Sequence, residues 1–146
     1  MGEAFRTVII DTYALMAKAT GEITPKANRY LEDVRRGRMN GVIHPIITYE
    51  FLLQFYKGRL PIFKTAEESL GFLETYFSTA ELSNALSLLA AEIRFKSDAL
   101  LNTLRRSLSV CDSLTVALAK KTKSPIMTGD KDLQAVAEKE SVGLLW

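Results

Sequence analysis

The chain has 146 residues, 47% of them apolar and 25% charged, with a formal net charge of +2. That balance describes a globular chain of one-domain length and excludes an intrinsically disordered one. One cysteine, Cys111, and one histidine, His44, exclude an intrachain disulfide and a zinc site built on thiolates or paired imidazoles.

The elements follow from periodicity and punctuation. Ala4 to Ile10 is β-branched and apolar, ends at Asp11, and reads as a buried central strand. A short helix follows from Thr12 to about Lys18. Thr24-Pro25 opens the next, with Thr24 as N-cap and Ala27, Tyr30, Leu31 and Val34 on one face. Gly37 and Gly41 bracket a turn, and Gly41 to His44 is a second strand. Pro45 opens a helix to about Lys57, which Gly58 to Pro61 breaks. Thr65-Ala66-Glu67-Glu68 has the form of a capping box, ahead of a stripe of Ala66, Leu70, Leu73 and Phe77.

Thr79 to Leu82 is expected as an edge strand. A helix with Ala85, Leu88, Leu89 and Ile93 inward comes next, and Ser97-Asp98 is expected to start another that ends at Arg105-Arg106. Ser109 to Asp112 caps a helix whose inner face is Val110, Leu114, Ala117 and Leu118. Ser124 to Thr128 is a strand running into Gly129-Asp130; a short helix from about Leu133 to Lys139 and a strand from Val142 to Leu145 complete the chain. Strands alternating with helices predict an α/β fold, a parallel sheet of about five strands covered on both faces, in a single domain over residues 1–146. With no apolar run near the roughly 20 residues of a membrane span, and no signal-peptide form, the expected setting is soluble and cytoplasmic.

Four acids stand where strand turns into helix or just inside the following helix: Asp11, Glu50, Asp112 and Asp130. Each has a local explanation. Asp11 can cap the first helix, Asp112 can complete a capping box with Ser109, and Thr128-Gly129-Asp130 is good turn chemistry. Glu50 can sit on an exposed stripe with Gln54 and Lys57, although its neighbours Ile46, Ile47, Phe51, Leu52 and Leu53 argue for a largely buried helix. The joint pattern favours a site. Ligands of open α/β sheets bind beyond the carboxyl ends of the strands, and carboxylates gathered there form a negative pocket that a divalent cation neutralises. Carboxylate oxygens suit Mg²⁺ or Mn²⁺. No Ser-His pair or reactive cysteine setting competes as a nucleophile.

The segments Val8-Ile9-Ile10-Asp11-Thr12-Tyr13-Ala14-Leu15, Thr48-Tyr49-Glu50, Ser109-Val110-Cys111-Asp112-Ser113-Leu114 with Ala117-Leu118-Ala119, and Met127-Thr128-Gly129-Asp130-Lys131-Asp132-Leu133 resemble, in order and spacing, those of a PIN domain, the nuclease fold of VapC-type toxins. The resemblance covers essentially the whole chain. It implies a three-layer sandwich; Asp11, Glu50, Asp112 and Asp130 as catalytic, metal-binding acids; Thr128 as the hydroxyl before the fourth acid; and Asp132 as a further acidic position. Leu133 stands where the family usually has phenylalanine, a packing difference that touches no ligand. The implied activity is a Mg²⁺- or Mn²⁺-dependent endoribonuclease, commonly homodimeric and often silenced by a small antitoxin.

RNA needs basic or aromatic contacts around such a pocket. Arg94, Lys96, Arg105, Arg106 and Lys131 are candidates by their nearness in sequence to the acids, and Tyr13 by its capacity to stack on a base. His44, ahead of Pro45 and without a second imidazole, reads as structural. Two other readings compete. A non-catalytic PIN-like module binding RNA or protein has no need of four acids. A phosphoryl-transfer domain of receiver or dehalogenase type wants a second acid after the first strand and a lysine after a late one, whereas Thr12 follows Asp11 and Gly129 follows Thr128. A toxin and an RNA-processing nuclease without an antitoxin are equally compatible with these residues.

Overall fold

The structure is a computed structural model and describes residues 6–101 and 106–146. The chain runs β1 (Thr7–Ile10), α1 (Thr12–Thr20), α2 (Pro25–Arg35), β2 (Asn40–Ile43), α3 (Pro45–Tyr56), α4 (Ala66–Tyr76), β3 (Ser78–Thr79), α5 (Asn84–Leu101), α6 (Val110–Thr122), β4 (Ile126–Met127), α7 (Lys131–Lys139) and β5 (Leu144–Leu145). The expected strand start at Ala4 and the expected helix end at Arg105 lie outside the described residues.

All strand pairs are parallel, in the order β3-β2-β1-β4-β5. β1 is the middle strand, and Val8, Ile9 and Ile10 are fully buried because helices cover both faces. Alternation along β1 divides the core in two. Val8 and Ile10 face one layer, with Leu31, Val34, Ile47, Phe51 and Leu73 of α2, α3 and α4. Ile9 faces the other, with Leu86, Ala90 and Ile93 of α5, Val116 and Ala117 of α6, and Leu133 and Val136 of α7. The result is the expected α/β sandwich of three layers.

The topology fixes where a ligand can enter. From β1 the chain moves outward to β2 and β3, then returns through α5 and α6 to β4 on the other side of β1. The strand order reverses between β1 and β4, and the crevice beyond their carboxyl ends is the usual ligand site in such sheets. Asp11 follows β1 directly, and Asp130 follows β4 after Thr128 and Gly129.

Several elements differ from the sequence reading. α5 is one helix of 18 residues, with no restart at Ser97. The Ser97 hydroxyl donates to the Arg94 carbonyl at 2.8 Å instead of capping, and Asp98 pairs with Arg94. Its inward residues are Leu86, Ala90, Ile93, Ser97 and Leu101, while Ala85 and Leu88 are exposed. At the start of α6, Cys111 turns inward and Val110 outward. On α4, Ser69 is buried with Leu73 where Leu70 was expected. The edge strand begins one residue early, at Ser78. α3 is one-sided, not buried all round: Ile47 and Phe51 are buried, whereas Tyr49 and Tyr56 stand in solvent.

Candidate active site

Asp11, Glu50, Asp112 and Asp130 come from four separate elements and all line one open cavity of about 450 Å³ at the carboxyl edge of the sheet. Their local roles are real as well. Asp11 is the N-cap of α1, its Oδ1 accepting from the Ala14 amide at 2.9 Å. Asp130 is the N-cap of α7, its Oδ1 accepting from the amides of Asp132 at 2.9 Å and Leu133 at 3.0 Å. Ser109 caps α6 by accepting from the Asp112 amide at 3.0 Å. Capping is therefore the device that aims two of the acids: Asp11 and Asp130, each a cap just after a buried strand, are held at the sheet edge. A capping bond occupies one oxygen of Asp11 and of Asp130, and each carboxylate keeps lone pairs that the cap does not use.

Glu50 reaches the cavity from the second turn of α3, and its Oε2 accepts from the Thr12 hydroxyl at 2.9 Å. This bond ties α3 to the first turn of α1. Thr128 is fully buried, and its Oγ1 accepts from the Asp130 amide at 3.0 Å. That leaves its proton available to Asp11.

The electrostatics record the crowding. Asp11 is 3% exposed. Burial pushes its carboxyl from 3.8 to about 7, Asp112 and Asp130 add to the rise, and the Thr128 hydroxyl and Ala14 amide oppose it. Asp112 is pushed up to about 6 by burial first and by Asp130, Glu50 and Asp132, with Ser109 opposing. Burial and the neighbouring Glu50, Asp112 and Asp11 also push the Cys111 thiol upward, which keeps it protonated and unreactive.

His44 braces the site from below. It caps α3, its Nδ1 accepting from the Ile46 amide at 3.3 Å. Nε2 then carries the proton and donates to Thr115 Oγ1 at 2.9 Å, and Thr115 donates to the Cys111 carbonyl at 2.8 Å. Burial lowers His44 to about 4, so it stays neutral. The relay joins the start of α3, which carries Glu50, to the first turns of α6, which carry Asp112.

The other expected residues are placed unevenly. Tyr13 is half exposed and lines the cavity, its ring edge-on to Trp146 at 5.6 Å. Both rings lie over Gly129, where an added Cβ would come within 2.5 Å of Tyr13 and 2.6 Å of Trp146. Asp132 stands behind Asp112 and pairs with Arg106 at 3.3 Å. Lys131 is exposed at the start of α7 and does not line the cavity. Arg94 and Lys96 do not line it either; they pair along α5 with Asp98 and Glu92. Arg105 lies outside the described residues. Gln54 and Arg59 line the cavity but were not anticipated.

A hard divalent cation fits this donor set. Among the described residues the lining includes the carboxylates of Asp11, Glu22, Glu50, Asp112 and Asp130 against one cation, Arg59. Burial first, and then the acidic neighbours, raise the carboxyls of Asp11 and Asp112, and a cation among them would offset both effects. Among the described residues no three such side chains already stand around one point, so the carboxylates would have to turn inward to share an ion.

A family model for the PIN domain matches residues 8–139. No curated protein sequence matches the chain. Solved structures resemble it in fold. VapBC2 from Rickettsia felis, bound to a DNA fragment from its promoter, superposes with a TM-score of 0.65 at 14% identity, over 94% of this chain and 96% of that one. PAE2754 from Pyrobaculum aerophilum gives 0.57 at 16% identity, over 90% and 85%. FitAcB from Neisseria gonorrhoeae gives 0.53 at 13% identity, over 94% and 95%.

Proposed function

The chain belongs to the PIN domain family, a family of nucleases, and on that premise we propose that it is a divalent-metal-dependent endoribonuclease, the toxin of a toxin–antitoxin pair. The observation that carries this reading is the convergence of four acids, from four elements, on one cavity at the strand-order reversal. A structural scaffold gains from Asp11 only the α1 cap, which an uncharged asparagine would supply without the ionisation that burial and the acidic neighbours oppose.

In this reading Asp11, Asp112 and Asp130 hold Mg²⁺ or Mn²⁺ through carboxylate oxygens. The ion would supply Lewis-acid polarisation of the phosphate and activation of a water. Glu50 is the proton acceptor. Thr12 occupies its Oε2, leaving Oε1 to take the proton as water oxygen attacks phosphorus and the P–O bond to the leaving ribose oxygen breaks; solvent protonates that oxygen. Thr128 orients Asp11, and Asp132 with its Arg106 partner shapes the field behind Asp112. Tyr13, half exposed at the rim, offers a face for a base. Lys131, exposed at the start of α7, would meet the sugar–phosphate chain outside the cavity, whereas Arg94 and Lys96, paired along α5, have no part in this reading.

The toxin assignment draws on the fold shared with VapBC2 and FitAcB. A small antitoxin and a second copy of the chain are the partners in this reading, and the cytoplasm is the setting. Among the described residues no helix is long and apolar enough to cross a membrane.

The test is cleavage of single-stranded RNA by purified protein. Cleavage is expected with Mn²⁺ or Mg²⁺, absent in EDTA, and abolished in Asp112→Asn. Cleavage that persists in EDTA or in Asp112→Asn would overturn the assignment, as would no cleavage with either ion.

A further inference from the structure

Among the described residues, the cavity that gathers the acids is lined by one cation, Arg59, which comes from a turn rather than from any of the basic clusters along the chain. Its placement is built by the end of α3. Gly58 has φ +75, and its amide donates to the Phe55 carbonyl at 2.9 Å while the Arg59 amide donates to the Gln54 carbonyl at 3.0 Å. This pair of bonds is a Schellman closure, which turns the chain back over the last helical turn. Arg59 therefore returns across α3, and its Nη1 donates to Gln54 Oε1 at 2.8 Å.

Gln54 lies four residues after Glu50, so the two share a face about 6 Å apart along the axis. The guanidinium is thus stationed about one helical turn from Glu50; among the described residues it forms no salt bridge. That separation has a physical consequence. An arginine paired to Glu50 or Asp112 would compete with a cation for that carboxylate. Bonded to a neutral amide carbonyl, it keeps its charge and its remaining donors for an incoming anion.

We propose that Arg59, held over the groove by Gln54, anchors a second phosphate of single-stranded RNA, adjacent to the one being cleaved. This rests on the nuclease reading above and adds to it the feature that tells a polynucleotide from a lone phosphate ester. The acidic end of the groove repels a polyanion until cations fill it. A fixed guanidinium one turn away supplies the attraction that sets the strand in register, and its planar fork suits phosphate oxygens.

The experiment is fluorescence anisotropy of a labelled short single-stranded RNA, with Ca²⁺ as the oxygen-seeking ion, across a salt series. Arg59→Ala should weaken binding about tenfold or more and flatten the slope of log K against log salt by about 0.7. Arg59→Lys should restore the slope but only part of the affinity. Gln54→Ala should weaken binding and leave the slope alone, because the charge remains but is no longer held. Arg38→Ala is the charge control, since Arg38 pairs with Asp33 just before β2, at the opposite edge of the sheet.

Wild-type binding with Arg59→Ala unchanged in affinity and slope would overturn the anchor and leave the nuclease reading standing. Equal losses in Arg59→Ala and Arg38→Ala would also overturn it, by reducing the effect to total charge. A wild-type protein that binds no RNA would overturn both readings.

Discussion

Asp11→Asn should make the metal-free protein more stable at neutral and alkaline pH while destroying the site. Asparagine keeps the carbonyl oxygen that caps α1 through the Ala14 amide and removes the charge that burial penalises. The folded chain holds the Asp11 proton up to about 7, against 3.8 ordinarily. Between those values the folded state binds more protons than the unfolded state. This contribution to stability is therefore full below about pH 4 and is lost as pH rises through about 7. A separation of this size amounts to on the order of 4 kcal/mol for a carboxyl this buried. Asparagine should recover part of that, on the order of 2 kcal/mol, or several degrees in Tm for a chain of this length.

Thermal unfolding in EDTA at about pH 5 and about pH 8 reads the effect directly. Wild type should lose stability between the two, and Asp11→Asn should lose much less and melt higher at the upper pH. Millimolar Mn²⁺ should raise the wild-type Tm and leave the variant nearly unmoved. An Asp11→Asn protein that melts below wild type at the upper pH in EDTA would refute the claim that Asp11 carries unrelieved charge.

Three further outcomes follow from the same geometry. Thr115→Val strands the buried His44 Nε2–H and should cost about 1–3 kcal/mol in chemical denaturation; a loss below measurement would remove His44 as a brace. Gly129→Ala places a methyl group within 2.5–2.6 Å of Tyr13 and Trp146, so it should cost about 1–3 kcal/mol and shift the emission of Trp146, the single tryptophan; an unchanged spectrum would contradict that packing. Ser109→Ala removes the α6 cap, worth about 1 kcal/mol, and a group that lowers the Asp112 pKa. The acid limb of the cleavage profile should then move to higher pH, and a limb that stays put or moves lower would count against Asp112 as a metal ligand.

Much of the frame was legible because local chemistry and tertiary role coincide. The run Val8-Ile9-Ile10 ended by Asp11 is a buried strand meeting a helix cap, and both halves of that signal are in the sequence. Thr24-Pro25 and Ser109 are likewise caps whose geometry needs nothing beyond their neighbours. The α5 register was not legible. Leu86, Leu88, Leu89, Ala90 and Ile93 spread apolar residues round the helix, and packing along α6 decides that Leu86 and Ala90 turn in and Leu88 out. Ser97-Asp98 imitates a helix start, but the Ser97 hydroxyl satisfies a carbonyl within the helix.

Nearness in sequence to the acids does not place a basic side chain in the cavity. Arg94 and Lys96 precede Asp112 by fewer than 20 residues yet spend their charge along α5. Arg59 reaches the cavity through a left-handed glycine turn. The signal that could have found it is Gly58 at the end of a helix carrying Glu50 and Gln54 on one face. Trp146 over Gly129 is a tertiary contact between segments that share no local pattern.

Calorimetric titration of the metal-free protein with Mn²⁺ at about pH 6.5, in buffers of different ionisation enthalpy, tests most directly whether the acids act as one site. Binding should release about one proton, since Asp11 and Asp112 must give up theirs to ligate. The Asp112→Asn variant should bind far more weakly. Binding without proton release, or equal binding by wild type and Asp112→Asn, would contradict a cation shared by Asp11, Asp112 and Asp130.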